Sequence, residues 1–454
     1  MESFGTSFRW RTSVGWFAIF VGIALIANNA AAQKYTLNAV HEPNTDMEFD
    51  NQQTSNPFVG TFPGYITFGA DGLFYWLIPA AHHPKMQPLI IWLTGGPGCS
   101  SMLAALSENG PFGIDSDGNV EYRKRPWILA GNMLYIDQPF GTGFSVANDP
   151  NVTVNNEEQV SKYLRKFMIK FLKKYPQFYD RPLYVTGESY GGHYVPHFGA
   201  YLAQNPSPGI NFKGIAVGNG WIQPSLQYPQ YPSFGLDHGI IDKETFNSST
   251  HMLSECVNNL NETTENEFLL CGEAVQTIIG SYNPYNYKLQ CEVEPLCYNM
   301  SGSVNFLNDF AIQADLGVKK DYQSCNNSVY SDFEVDWLHG MNPSITYLLQ
   351  NNYTVVLYYG DLDIICNWYG GKAVAMSVMN NLYPHAKLET KQWVIGGKKL
   401  GEIMEHDKFS FIRIYNAGHM VPMDQPNAGL AVITDVLLKD DPSPKWNDFI
   451  ETEY

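Results

Sequence analysis

Five short segments of this chain are apolar almost without interruption: Leu89-Ile90-Ile91-Trp92-Leu93, Met133-Leu134-Tyr135-Ile136, Leu183-Tyr184-Val185-Thr186, Gly214-Ile215-Ala216-Val217 and Thr354-Val355-Val356-Leu357-Tyr358-Tyr359. A strand with one wet face alternates polar and apolar residues. A strand without alternation has both faces covered, as in a parallel sheet with helices on either side. Between these segments, Val160, Leu164, Phe167 and Phe171 recur at helical spacing, and Pro176 stands just past the expected helix end. Strands alternating with helices specify an α/β fold with a doubly wound, mostly parallel sheet.

The pattern breaks between about residues 220 and 335. That stretch holds five of the seven cysteines (Cys256, Cys271, Cys291, Cys297 and Cys325) and Asn- and Glu-rich segments such as 258–266. It reads as a cap inserted into the sheet domain, with strand patterning resuming near Thr354. A chain of 454 residues has room for one large domain with such an insertion, or for two domains. Apolar residues make up 44% and charged residues 16%, a balance that builds a packed core and excludes wholesale disorder.

Arg9 and Arg11 precede an apolar stretch from Val14 to Ala27, and Ala30-Ala31-Ala32 puts small residues where a signal peptidase cuts. Residues 1–32 are therefore expected to be a cleavable signal for the secretory pathway, and 33–454 the mature protein. The rival, an uncleaved anchor, is disfavoured by the short apolar run, and no later segment is long and apolar enough to cross a bilayer. Asn-x-Ser/Thr sequons at Asn151, Asn247, Asn261, Asn299, Asn326 and Asn352 fit that route, as do four cysteines crowded into 256–297. Seven cysteines are an odd number, so at least one thiol is free or pairs between chains. The net charge of −17 makes the chain a poor ligand for phosphate backbones, and no nucleic-acid partner is expected. An acidic surface also suits work at low pH, where protonation relieves self-repulsion.

Gly187-Glu188-Ser189-Tyr190-Gly191 matches G-x-S-x-G, and it follows the strand 183–186 and precedes a helix-like segment from Gly192. A serine on a tight strand-to-helix turn has its hydroxyl exposed, and flanking glycines permit the turn. Such a serine needs a base and a group to orient that base, in the chain order Ser, acid, His. His419, in Gly418-His419-Met420-Val421-Pro422 after the strand Phe411–Ile414, lies where the base belongs. After strand 354–359, both Asp361 and Asp363 are candidates for the acid. The loop Thr94-Gly95-Gly96-Pro97-Gly98-Cys99-Ser100-Ser101 sits where a backbone N–H would meet a tetrahedral oxyanion, which assigns Gly96 and Tyr190 as donors. A phosphate loop is excluded by the missing Gly-Lys-Ser/Thr ending. His193 and His197 have the spacing of a metal pair, but no Glu follows His193 and Pro196 interrupts the segment. No metal or cofactor is expected.

These blocks, together with Gly64-Tyr65-Ile66, Leu73–Leu77, Asp137-Gln138-Pro139-Phe140-Gly141-Thr142-Gly143-Phe144-Ser145, Gly218-Asn219-Gly220 and Gly360-Asp361-Leu362-Asp363-Ile364-Ile365-Cys366-Asn367, stand in the order of the serine carboxypeptidase family. The sequence resembles that family over the whole mature chain. The resemblance implies an α/β-hydrolase fold with a disulfide-rich cap, and a serine exopeptidase. It selects Asp363 as the acid and suggests that Cys366 is the unpaired thiol beside the site. It also favours the pairings Cys99–Cys325, Cys256–Cys271 and Cys291–Cys297, while sequence alone leaves other connectivities open.

The resemblance further implies a site for the free carboxylate of a peptide or protein C-terminus, built from Glu108, Glu188, Thr94 and Gly95. Two crowded carboxyls bind an anion only when a proton is shared between them, so activity at acidic pH is expected. Thr94 departs from the family, which usually has Asn there. That departure keeps open an acyltransferase that passes an acyl group from a sugar ester to an alcohol. A third reading is a catalytically silent protein that protects or binds a partner. A lysosomal, vacuolar or extracellular destination and a possible homodimer are left undecided by the residues.

Overall fold

In chain order the strands are β1 (Phe62–Phe68), β2 (Asp71–Ile78), β3 (Leu89–Leu93), β4 (Phe112–Ile114), β5 (Val120–Tyr122), β6 (Asn132–Ile136), β7 (Pro182–Glu188), β8 (Asn211–Gly218), β9 (Thr354–Gly360), β10 (Lys391–Ile395), β11 (Lys398–His406) and β12 (Phe409–Ile414). They come from a computed structural model that describes residues 60–260, 265–293 and 296–443. The expected signal segment 1–32 and the sequon at Asn261 lie outside these residues.

Ten strands form one sheet in the order β1-β2-β6-β3-β7-β8-β9-β12-β11-β10, and β4 and β5 form a separate hairpin. The six central strands, β6 to β12 in that order, are mutually parallel, and antiparallel pairs flank them at both ends. The uninterrupted apolar runs have the structure their sequence requires. On β3, Leu89, Ile91 and Leu93 belong to one core cluster, while Ile90 and Trp92 belong to the cluster on the other face. On β9, Val355, Leu357 and Tyr359 face the first cluster, and Val356 and Tyr358 the second.

Three helices position the site. Helix α1 (Ser101–Ser107) follows the glycine loop and is capped by Ser100, whose hydroxyl accepts from the Met102 amide. Helix α2 (Glu157–Lys174) buries Val160, Leu164, Phe167 and Phe171 against the first cluster. It starts at an Asn156 cap, with Glu157 and Glu158 in its first turn and Lys173 and Lys174 in its last, so its charges complement the helix dipole. Helix α3 (Gly191–Gln204) springs from the end of β7 and continues through Pro196, which does not interrupt it as the sequence suggested. From β3 the chain crosses to β6 on one side and then to β7 on the other. The sheet therefore changes winding direction at β3, and the crevice beyond the carboxyl ends of β3 and β7 is where such sheets bind ligands.

Between β8 and β9 the described residues contain no strand of the sheet. Helix α4 (Lys243–Asn259) and helix α5 (Glu265–Ile279) lie in this stretch and are joined by the disulfide Cys256–Cys271. Leu253, Cys256, Cys271, Ala274 and Ile278 belong to the same core cluster as the sheet, so this cap is continuous with the main core. The other disulfides are Cys291–Cys297 and Cys99–Cys325, and Cys366 is free and buried. No described helix is long and apolar enough to cross a membrane. Of the sequon asparagines, Asn151, Asn247, Asn299 and Asn352 are exposed. Asn326 is half-buried, its amide donating to Gly141 O and its carbonyl oxygen capping the helix Asn327–Asp332.

Candidate active site

Strand β7 ends at Glu188 and α3 begins at Gly191, so the chain must turn within two residues. Ser189 makes that turn with φ +62°, a left-handed conformation that non-glycine residues rarely hold. The strain is held by three backbone bonds: Ser189 N donates to Gly218 O at 3.2 Å, and Ser189 O accepts from Gly192 N at 2.8 Å and Trp221 N at 2.9 Å. Gly187 is obligatory here, because a Cβ on it would lie 2.3 Å from Leu93 O. Between Leu183 and Pro196, Ser189 alone is not buried. The turn exposes one hydroxyl in an otherwise dry wall.

Asp363 and His419 come from the loops after β9 and β12, neighbouring strands. His419 Nδ1 lies 2.8 Å from Asp363 Oδ2, and both residues are buried. A carboxylate only accepts, so Nδ1 carries the proton and Nε2 is left as a base. Asp363 also accepts from Ile365 N at 3.1 Å, Cys366 N at 3.3 Å and Asn219 Nδ2 at 2.7 Å. Tyr285 holds the imidazole from outside: its ring meets His419 edge-on at 5.2 Å, and its carbonyl accepts from His419 N at 2.8 Å. The rival acid, Asp361, points elsewhere. It accepts from Asn416 N at 2.8 Å and pairs with Arg413 at 3.4 Å.

The glycine loop after β3 packs directly on the serine turn. A Cβ on Gly95 would sit 2.3 Å from Tyr190 N and 2.9 Å from Ser189 Cβ. Among backbone hydrogen bonds of the described residues, none uses the Gly96 or Tyr190 amide as donor, so both expected oxyanion donors are available. The loop is anchored from behind by buried Asp137, which accepts from Ser100 Oγ at 2.7 Å, Ser101 N at 2.9 Å and Phe144 N at 2.9 Å. Burial pushes Asp137 up to about 6 against those bonds.

Glu108, at the end of α1, and Glu188, before the nucleophile, are fully buried and hydrogen-bonded to each other. Glu108 Oε2 and Glu188 Oε2 have no protein partner. Burial raises Glu108 to about 7, and burial followed by the Glu108 charge raises Glu188 well above the carboxyl range. Glu188 Oε1 is 4.0 Å from His419 Nε2, which puts the pair beside the expected base. Thr94 is buried beside Trp92, whose indole N–H donates to Thr94 Oγ1 at 2.8 Å. That leaves the Thr94 hydroxyl one proton to give and a lone pair already engaged. A cleft of about 490 Å³ opens at Glu108, bounded also by Pro422 and Met423 of the His419 loop.

The histidines set aside from the sequence have plain partners. His193 lies between Trp221 O at 2.6 Å and His339 O at 2.9 Å, and His197 Nδ1 meets Ser161 Oγ at 2.8 Å. Among the described residues, the group of three ligand-type side chains whose atoms all lie within 4.8 Å of one another is Asp363, Cys366 and His419, two of which already bind each other. Sequence reasoning gave no role to Asn219, Asp137 or Tyr285. Asn219 could have been found: it is a polar residue between two glycines, and it holds φ +40°.

The model of the serine carboxypeptidase family matches residues 51–439. "Serine carboxypeptidase 3" of Oryza sativa subsp. japonica is 34% identical over 377 residues, covering 80% of this chain and 75% of that protein. "Serine carboxypeptidase S10 family member 1" of Dictyostelium discoideum is 33% identical over 378 residues, covering 80% of this chain and 89% of that protein. The crystal structure of a prohormone-processing carboxypeptidase, KEX1(delta)p from Saccharomyces cerevisiae, superposes with a TM-score of 0.73 at 27% identity, covering 84% of this chain and 91% of that one. A strained serine, an Asp-held histidine and a paired-carboxyl pocket on this sheet thus occur in a chain that belongs to the serine carboxypeptidase family, the serine-type carboxypeptidase hydrolases.

Proposed function

We propose that the protein releases the last residue of peptides at acidic pH through an acyl-enzyme on Ser189. The observation that carries this reading is the buried Glu108–Glu188 pair at the catalytic base, with one unpartnered oxygen on each residue. Two ionised carboxylates would repel a terminal carboxylate. A pair that keeps its proton offers a hydrogen-bond donor to it instead. Ser189 Oγ attacks the scissile carbonyl carbon, and His419 Nε2 takes the hydroxyl proton. The Gly96 and Tyr190 amides receive the oxyanion. His419 then returns its proton to the leaving amine, and water, deprotonated in turn by His419, hydrolyses the ester. Asp363 keeps the imidazole in the productive tautomer and supports its positive charge.

Acid pH and disulfides fit a protein of the secretory route, ending in a lysosome, a vacuole or outside the cell, with peptide or protein C-termini as partners. The departure at Thr94 supports a second reading. Its hydroxyl, held by Trp92, gives one short donor in place of the longer amide of the usual Asn, which makes a weaker donor set for a carboxylate and suits transfer of an acyl group to an alcohol. Purified protein is assayed at pH 5 on N-blocked dipeptides and on glucose esters with an alcohol acceptor. Release of free C-terminal amino acids supports the peptidase. Ester transfer without release of amino acids would replace it by the acyltransferase.

A further inference from the structure

The cleft that opens at Glu108 is unused by the mechanism, and it carries an unusual set of charges. Its wall holds three consecutive basic residues, Arg123, Lys124 and Arg125, which follow the β4–β5 hairpin. Two acidic residues also line it, Glu121 and Glu292, and both are exposed. Lys124 and Arg125 are exposed as well, and the Arg125 Nε donates to Asn427 Oδ1 at 2.9 Å.

Arg123 differs from the other four. It is half-buried, and its Nη2 donates to Leu106 O at 2.6 Å and its Nη1 to Gly110 O at 3.4 Å. Both carbonyls flank Glu108, so the guanidinium is fixed to the backbone segment that carries the proposed carboxylate site. Two of the five N–H donors of a guanidinium are thereby used. Among the described residues, no carboxylate forms an ion pair with it. Burial lowers its pKa, and the nearby Tyr135, Glu108 and Glu121 offset that only in part. Its charge acts on Glu108, which places the two groups in one field.

Glu108 belongs to the proposed carboxylate site and also lines this cleft, so a residue whose α-carboxylate sat on the pair would project its side chain toward the cleft. We propose that the cleft selects an acidic side chain, Asp or Glu, on the released C-terminal residue, with Arg123 as the specificity-determining residue. The carboxylate completes the open fork of the guanidinium, and Lys124 adds a mobile second charge. Charge-assisted bonds of this kind exceed neutral ones in strength, and the planar fork adds geometric selection. Glu121 and Glu292 are exposed, where solvent and salt weaken their opposition to an anion; Glu121 still acts on Arg123, and the incoming carboxylate competes with it for the guanidinium.

This inference rests on the carboxypeptidase reading of the Glu108–Glu188 pair, and the test separates the two. N-blocked dipeptides ending in Glu, Gln, Leu and Lys are compared at pH 5.5, where a terminal Glu side chain is ionised. The wild-type protein is expected to show about tenfold higher kcat/KM for Glu than for its isostere Gln. Arg123→Gln should remove that preference while leaving Gln and Leu release within about twofold, and Arg123→Lys should keep part of it. Titration of Ser189 with an uncharged activated ester counts folded sites in every variant, so misfolding does not pass for lost selectivity. Release of Leu and Gln with no advantage for Glu would overturn the inference and leave the carboxypeptidase standing. An equal loss on Glu, Gln and Leu in Arg123→Gln would show that Arg123 reads the α-carboxylate, which also overturns it. Failure to release any residue, with esters still cleaved, would remove both readings.

Discussion

The Glu108–Glu188 pair makes a quantitative prediction about pH. Glu108 is raised to about 7 by burial, and Glu188 is raised further. With Glu188 still protonated, a Glu108 that titrates at about 7 leaves about 99% of the pair uncharged at pH 5 and about 9% at pH 8; a singly ionised pair repels a terminal carboxylate, so the uncharged form that binds best falls roughly tenfold. Above pH 7 each further unit removes another factor of about ten, or about 1.4 kcal/mol. The kcat/KM for a dipeptide with a free carboxyl end should follow that curve. An uncharged ester of the same acyl group does not use the pair, yet it uses the same Ser189 and His419. Dividing the peptide profile by the ester profile therefore cancels every contribution of the triad and isolates the carboxyl pair. Glu108→Gln, which keeps a donor but cannot ionise, should flatten that ratio between pH 5 and 8. The assay is steady-state kinetics on both substrates at half-unit steps of pH. A ratio that is flat in the wild type, or one that still falls tenfold in Glu108→Gln, would refute the reasoning.

The remaining expectations follow from particular contacts. Ser189→Ala should abolish turnover, and Asp363→Asn should lower kcat by about 10⁴, the scale seen when this acid is neutralised in other Ser-His-Asp sites. Asp361→Asn should leave kcat within about twofold and lower stability by no more than about 1 kcal/mol, since it removes the ion pair with Arg413 while the amide oxygen can still accept from Asn416 N; a crippled kcat would reverse the assignment of the acid. Thr94→Asn should lower KM for free-carboxyl peptides about two- to tenfold and leave amide-blocked peptides unchanged; equal effects on both would remove Thr94 from the carboxylate site. Stability should rise on acidification. Glu108 and Asp137 hold protons more tightly folded than unfolded, so their contribution is full below about pH 4 and lost as pH rises through about 6 to 7. The urea midpoint should therefore be higher at pH 4.5 than at pH 8, and the opposite order would contradict these shifts.

The central sheet was legible because burial on both faces leaves no room for polar residues. Leu89–Leu93, Thr354–Tyr359 and Leu183–Thr186 each fall inside a strand of the structure. The β10–β11 hairpin was not read, because an edge strand is half-wet and Lys391, Gln392, Lys398 and Lys399 obscure its pattern. Its signal was the Gly396-Gly397 pair, both at positive φ, a two-residue hairpin turn. The candidate serine and histidine were legible from motifs placed on strands. The choice between Asp361 and Asp363 was not, because two residues of spacing cannot say which carboxylate turns toward the histidine. Asn219 fixes that direction, and it follows the end of β8, far away in sequence. Arg123 was invisible as a specificity residue for the same reason: its meaning lies in carbonyls of the helix end that it touches.

The disulfide Cys99–Cys325 joins residues 226 apart in sequence and closes onto the loop that carries Gly96. During synthesis the nucleophile turn and the glycine loop emerge first, while the partner of Cys99 appears only after most of the cap has been made. In the interval Cys99 passes four other cysteines, of which Cys256 and Cys271, and Cys291 and Cys297, close short loops between themselves. Short loops cost the least entropy to close, so Cys256–Cys271 and Cys291–Cys297 are favoured over pairings of those cysteines with Cys99. The order of cysteines along the chain thus acts as a timer. Cys325 is the last of the six disulfide cysteines to be made, so the glycine loop at Cys99 is the last of the three disulfide-bonded segments whose partner becomes available.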